Sequence, residues 1–231
     1  MNPDAQAQLL SYLYWLKSRG LNFPLSQPSP APDEVNPTSS DDDIRPEDRG
    51  WPAHKDAVQC QKCPLHQARP GVAWGIGSEQ PKVMIVGDTP GKEAASIGQP
   101  FAGESLFLLE KMLASIGLEA AECFFMNLIQ CPTTNPDQLR QSYEPCQPFI
   151  QSFISKIQPR IIVALGPLTM SLLTEGALDF NVNKGQIKDW NHFKIQGSYH
   201  PRSLLRTPEL KAESWNHLKQ LQHFLAPEAR H

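Results

Sequence analysis

Four cysteines constrain this chain more than any other feature: Cys60 and Cys63 form a C-x-x-C pair, and Cys131 and Cys146 follow with fourteen residues between them. Thiolates in fours hold either a tetrahedral zinc ion or an iron–sulfur cube, so the fold is expected to bring these distant segments together around one inorganic centre. Between the pairs lies Gly87-Asp88-Thr89-Pro90-Gly91, a glycine-rich turn of the kind that serves as an active-site loop. The fifth cysteine, Cys123, stands apart in an apolar run and reads as a buried core residue. Five cysteines at these uneven spacings do not make a disulfide framework, and in a reducing compartment metal ligation is the better use for them.

With 231 residues and 40% apolar content, the chain can bury one substantial core plus appendages. No run approaches a membrane span, and Asp4 with no early basic segment does not open a secretory signal. A cytoplasmic monomer away from the membrane is the expectation. The net charge of −3 is unevenly placed: residues 1–59 carry nine acids and five bases, the remainder fifteen acids and sixteen bases. A near-neutral body offers no general field for nucleic acid, so any such contact must come from locally placed groups.

Three segments follow from composition. Residues 1–23 hold an apolar helical stretch at 4–19, rich in leucine, tyrosine and tryptophan and stopped by Gly20; it reads either as a helix folded onto the main domain or as a docking peptide for a protein partner. Residues 24–56, with repeated prolines and the Asp41 to Asp43 run, read as an acidic, proline-rich linker. Residues 57–231 carry alternating strand and helix patterns. Strands are expected at 83–86, 123–129, 161–165 and 193–196, and helices at 104–116, 146–157, 167–173 and 208–224. That alternation predicts an α/β fold with a mostly parallel four-stranded sheet and helices on both faces, with polar residues in the loops at strand ends.

The motifs CQKCPLHQAR at 60–69, VMIVGDTPG at 83–91, GQPFAG at 98–103, FFMNLIQC around Asn127, VALG at 163–166 and SYHPRSLLR at 198–206 together resemble the uracil-DNA glycosylase superfamily, nearest to its iron–sulfur family 4. The resemblance implies a three-layer α/β/α domain and excision of uracil from DNA in base excision repair. It implies a [4Fe–4S] cluster on Cys60, Cys63, Cys131 and Cys146, with zinc as the competing occupant. It also implies roles: Asp88 and His200 in catalysis, Gly87, Phe101 and Asn127 around the flipped uracil, and Pro90, Gly91, Ser203 and Arg206 against the DNA backbone. The flipped base must be held by a stacking face and by hydrogen bonds to its edge, and the departing uracil anion needs a donor at O2, which an imidazole can supply.

This chain departs from the family pattern in its first motif. Asp88 stands where the family usually has glutamate, and Ala94 and Ala95 follow where further acids are common. These departures, with the apolar N-terminal segment on its tether, leave an alternative expectation: a weakened or inactive glycosylase-fold subunit of the replication machinery, laid out like the psi subunit of the bacterial clamp loader and docking through residues 4–19. Arg202 and Arg206 beside the histidine motif read, apart from the resemblance, as ordinary solvated charges.

Overall fold

Short runs with no polar face set the architecture of residues 57–226, the part of the chain that the computed structural model describes. The expected N-terminal helix at 4–19 and the linker at 24–56 lie outside those residues. In chain order the strands are β1 (Ile76–Gly77), β2 (Val83–Gly87), β3 (Cys123–Asn127), β4 (Ile161–Leu165), β5 (Ile187–Trp190) and β6 (Phe193–Ser198). The helices are α1 (Lys92–Ser96), α2 (Gly103–Ala114), α3 (Pro136–Ile157), α4 (Pro167–Leu173), α5 (Phe180–Asn183), α6 (Pro201–Arg206) and α7 (Lys211–Leu225). Every residue of β2, β3 and β4 is buried. Strands with both sides apolar are those covered by helices on two faces, which is the setting of parallel sheets.

The sheet order is β1-β3-β2-β4-β6-β5. Its centre, β3-β2-β4-β6, is the expected parallel four-stranded unit. Two short antiparallel edges bring the total to six, β1 on β3 and β5 on β6. Neither edge was legible in the sequence for a physical reason: β1 is two residues long, and Ile187–Trp190 is only half-buried and lies beside charged Lys188 and Asp189. The tight turn joining β5 to β6 passes through Asn191 at a φ of 51°. Asparagine tolerates that left-handed conformation, so Asn191-His192 makes the hairpin without the glycine that would have advertised it.

Helix α3 starts ten residues before the expected position. Asn135 caps it, its side chain accepting from the Asp137 and Gln138 amides, and Pro145 and Pro148 lie inside it. An interior proline costs about 3 kcal/mol, which is why the prolines looked like a start signal. Burial of Leu139, Phe149, Ile150, Phe153 and Ile157 on one face, at about 1.5–3 kcal/mol each, outweighs that cost. This face packs on Met84, Val86, Phe124, Met126 and Ile162 to form the larger core, with Trp74 edge-on to Phe149 and Phe153.

Because side chains alternate along a strand, Met84, Val86, Phe124 and Met126 face α3, and the odd-numbered residues Ile85, Gly87, Phe125 and Asn127 face the opposite side. Leu108, Leu109, Met112 and Leu113 supply the buried stripe of α2, which contacts α6 and α7. From β2 the chain places β3 on one side and β4 on the other, so the loop after β2 opens at the switch point of the sheet, where α/β folds hold their ligands.

Candidate active site and cysteine pocket

The register of β2 against β3 pairs Gly87 with Asn127 at the ends of both strands. A side chain at 87 is excluded, since a Cβ there would lie 2.5 Å from Asn127 Oδ1 and 3.0 Å from the Phe101 ring. The missing side chain thus lets the carboxamide and the ring approach one another across the glycine. Asn127 is fully buried, and its Nδ2 donates to the Pro100 carbonyl at 2.9 Å. A carbonyl only accepts, so the amide orientation is determined and Oδ1 is the free end. That oxygen is buried and has no hydrogen-bond partner among the described residues. A buried acceptor left unpaired costs about 1–3 kcal/mol, and this one points to a ligand that donates.

Phe101, buried, stands 5.7 Å from the His200 ring and 6.2 Å edge-on to Phe125. His200 follows β6 and caps α6, its Nδ1 accepting from the Arg202 backbone amide at 3.0 Å. With Nδ1 an acceptor, the proton of the neutral ring sits on Nε2. The nearest carboxylate oxygen, Asp88 Oδ1, is 3.8 Å from Nε2, too far for a hydrogen bond. The ring therefore offers one unspent donor. Burial holds the imidazole well below its usual titration range, to about 4, with the cations Arg202 and Arg206 adding to the effect and Asp88 opposing it. The histidine loop is braced from behind: Tyr199 donates to Glu213 at 2.6 Å and accepts from Lys184 at 2.8 Å, and Ser198 Oγ is 3.1 Å from His217 Nδ1.

Asp88 leaves the end of β2 with its Oδ1 accepting from the Thr89 amide at 2.7 Å and from Arg202 Nη2 at 2.8 Å. The same Nη2 donates to the Thr89 carbonyl at 2.6 Å. Arg202 is therefore a fixed member of the site, contrary to the reading of a solvated charge; its only sequence signal was its place two residues after His200. Two grooves meet at this residue. One, of about 430 Å³, is lined by Asp88, Thr133, His200, Ser203 and Arg206; the other, also of about 430 Å³, by Gly91, Glu93, Ala94, Phe101 and Ser105, and Arg202 borders both. Pockets of about 300–1,000 Å³ hold small ligands, so each is ample for a nucleotide. Of the residues expected against DNA, Gly91, Ser203 and Arg206 line these grooves, whereas Pro90 is buried and lines neither. Ala94 and Ala95 are buried within α1, and Glu93 still brings a carboxylate to the second groove.

The four expected cysteine ligands line a second, separate pocket together with His66 and Arg69. Cys60 and Cys146 pack on the edge of the α3 core, and Arg69 donates to Cys131 Sγ at 3.4 Å. Burial, followed by neighbouring cysteines, pushes the Cys146 thiol up to about 12; Cys131 is also raised by burial, against the pull of Arg69. Thiols in such a place become thiolates only when a cation compensates them, so the donor set fits an inorganic centre. Among the described residues, no three histidine, cysteine or acidic groups stand close enough together to grip a single metal ion. The pocket is tied to the active-site loop, since Thr89 Oγ1 donates to the Cys131 carbonyl at 2.9 Å and accepts from the Thr133 amide at 3.2 Å. Cys123 is buried in β3, where desolvation pushes its thiol up to about 12, and takes no part in the pocket.

The family model described as the uracil DNA glycosylase superfamily matches residues 74–219. The chain is 32% identical over 169 residues to a type-4 uracil-DNA glycosylase of Pyrobaculum aerophilum, spanning 69% of this chain and 86% of that protein. It is 29% identical over 176 residues to the type-4 enzyme of Archaeoglobus fulgidus, spanning 72% and 88%, and 31% identical over 151 residues to that of Thermotoga maritima, spanning 64% and 79%.

The histidine geometry makes a measurable statement. In ¹⁵N NMR, His200 is expected as the neutral Nε2–H tautomer throughout pH 5.5–8, because its folded value is lowered by burial. The unfolded chain takes up this proton near the ordinary value of about 6.5 and the folded chain only near 4, so its contribution makes stability fall as pH drops through that window. A ring that titrates near 6.5, or carries its proton on Nδ1, contradicts the geometry.

Proposed function

The chain belongs to the uracil DNA glycosylase superfamily, and from that premise we propose that it hydrolyses the N-glycosidic bond of uracil in DNA, releasing the free base in the first step of base excision repair. The observation that carries the proposal is the orphaned Asn127 Oδ1, which meets Phe101 across Gly87, with the His200 ring 5.7 Å from that phenyl ring. Uracil presents a donor at N3–H, whereas cytosine presents an acceptor at N3. An acceptor held in place by the hydrogen bond its own Nδ2 donates to the Pro100 carbonyl therefore pairs with the first and opposes the second.

The proposed sequence begins with extrusion of the nucleotide, at a cost of a few kcal/mol that stacking on Phe101 and the bond to Asn127 offset. As the glycosidic bond lengthens, negative charge gathers on the uracil ring, and the Nε2–H of neutral His200 donates to O2. A neutral donor in a dry site stabilises the leaving anion without first having to lose a proton. The sugar becomes cationic, and the Asp88 carboxylate, through the oxygen that Thr89 and Arg202 leave unused, stabilises it and orients the attacking water. In this reading Ser203, Arg206 and the backbone near Gly91, which line the grooves, hold the flanking phosphates. The names of the relatives favour this enzyme reading over a binding subunit.

For the second pocket we propose a [4Fe–4S] cluster on Cys60, Cys63, Cys131 and Cys146. Bound there, such a cluster supplies structural bracing and no hydrolytic chemistry. The lining of one pocket by all four thiols and the membership of this family support it; zinc is the competing occupant.

The direct test is incubation with uracil-containing single- and double-stranded oligonucleotides, scoring alkali-labile abasic sites. Wild type is expected to produce them, and His200→Ala to slow the single-turnover rate by about 10²–10³, the loss of one charge-stabilising donor. Absence of cleavage by wild type at high protein concentration favours the binding-subunit reading. For the cofactor, the pure protein is expected to be brown, and Cys131→Ser to bleach it, lower its melting temperature and slow excision through the Thr89 link. A colourless protein with stoichiometric zinc assigns the pocket to zinc.

A further inference from the structure

Arg202 reaches both groups that the proposed reaction uses. Its backbone amide, 3.0 Å from His200 Nδ1, places the imidazole proton on Nε2. Its Nη2 carries two hydrogens, and Asp88 Oδ1 at 2.8 Å and the Thr89 carbonyl at 2.6 Å take both. The 3.5 Å approach of Nη2 to His200 Nε2 is therefore a contact of two donors and leaves the Nε2 proton unspent. Asp88 Oδ1 is filled by two donors from different segments, Arg202 and the Thr89 amide, which fixes the plane of the carboxylate. Among the described residues Oδ2 makes no hydrogen bond.

We propose that Arg202 is the positioning residue of this active site: its guanidinium clamps Asp88 so that one carboxylate oxygen is anchored and the other is presented to the reaction. The inference rests on the glycosylase reading of the same site. It explains how the shorter aspartate serves where the family pattern has glutamate. An aspartate has one fewer torsion, and with Oδ1 pinned on the Thr89 amide and the guanidinium the oxygen that remains is held at one place. Folding stability is not what this pair contributes, since Asp88 and Arg202 side chains are 34% and 35% exposed and ion pairs so placed add little. Lysine is a poor substitute, because its ammonium turns freely on a flexible stem, whereas the planar guanidinium fixes the directions of both Nη2 hydrogens towards Asp88 and Thr89.

The test compares wild type, Arg202→Ala, Arg202→Gln and Arg202→Lys, matched by melting temperature, in single-turnover excision at saturating uracil-containing DNA. Misplacement of a reacting group by about 1 Å costs about 100-fold, so each variant is expected to lose about that factor in the saturated rate. Millimolar guanidinium, against equal sodium chloride, is expected to restore part of the rate in Arg202→Ala and none in Arg202→Lys. Hydrogen exchange at the Thr89 amide gives a reading independent of activity and is expected to accelerate in Arg202→Ala. An unchanged saturated rate, with weaker DNA binding and a salt slope smaller by about one, makes Arg202 a phosphate contact and overturns the proposal. If wild type excises nothing, the glycosylase reading fails by itself, and Thr89 exchange then decides the clamp: an unaltered rate of exchange overturns it.

Discussion

Everything at the active end of this domain depends on the parallel register of β2 on β3, which runs from Val83 against Cys123 to Gly87 against Asn127. Because the side-chain period of a strand is two, a slip by one residue would turn Asn127 into the α3 core and bring Met126 to the ligand side. The register is secured by the faces themselves. Met84, Val86, Phe124 and Met126 are buried together against the aromatic rings of α3, which a one-residue slip would undo. The odd-numbered face is then free to end in a glycine and a carboxamide. A glycine is the only residue that fits there, and the oxygen it leaves room for is the unpaired acceptor on which the uracil reading stands.

The two centres of the domain are mechanically joined. Thr89 sits in the loop that carries Asp88, and its hydroxyl bridges the Cys131 carbonyl and the Thr133 amide. Cys131 of the cysteine pocket is linked, through this hydroxyl, to the backbone whose amide anchors Asp88 Oδ1. The carboxylate is thereby held from the cysteine side by Thr89 and from the histidine side by Arg202. By this route the cluster proposed for that pocket would bear on the placement of the reacting atoms.

Much of this was legible in the chain. The strands at 83, 123 and 161 announce themselves as apolar runs and the one at 193 as Phe193 and Ile195 alternating with polar residues, and the helix at 167–173 lies where its Gly166-Pro167 start places it. The polar residues at strand ends, Asp88, Asn127 and His200, could be placed at one rim because parallel strands present their carboxyl ends together. What could not be read was anything decided by tertiary contact. The edge strands are too short or too polar to show a pattern. The start of α3 was hidden because the burial of its apolar face overrides two prolines. Arg202 looked like any exposed arginine, since nothing in its neighbours reveals a carboxylate that arrives from residue 88. Pro90, whose motif suggested a DNA contact, is turned inward by its loop, which the sequence alone does not reveal.

The central claim is that Asn127, His200 and Phe101 form one pocket whose free acceptor and free donor match the edge of uracil. It is tested most directly by titrating the full-length protein with free uracil and with free cytosine while following the Asn127 side-chain amide and the His200 Nε2 resonances by NMR. Uracil is expected to shift both sets together in one saturable process, and cytosine to leave them in place at the same concentration. Equal responses to both bases, or a uracil response that passes over Asn127 and His200, would contradict it.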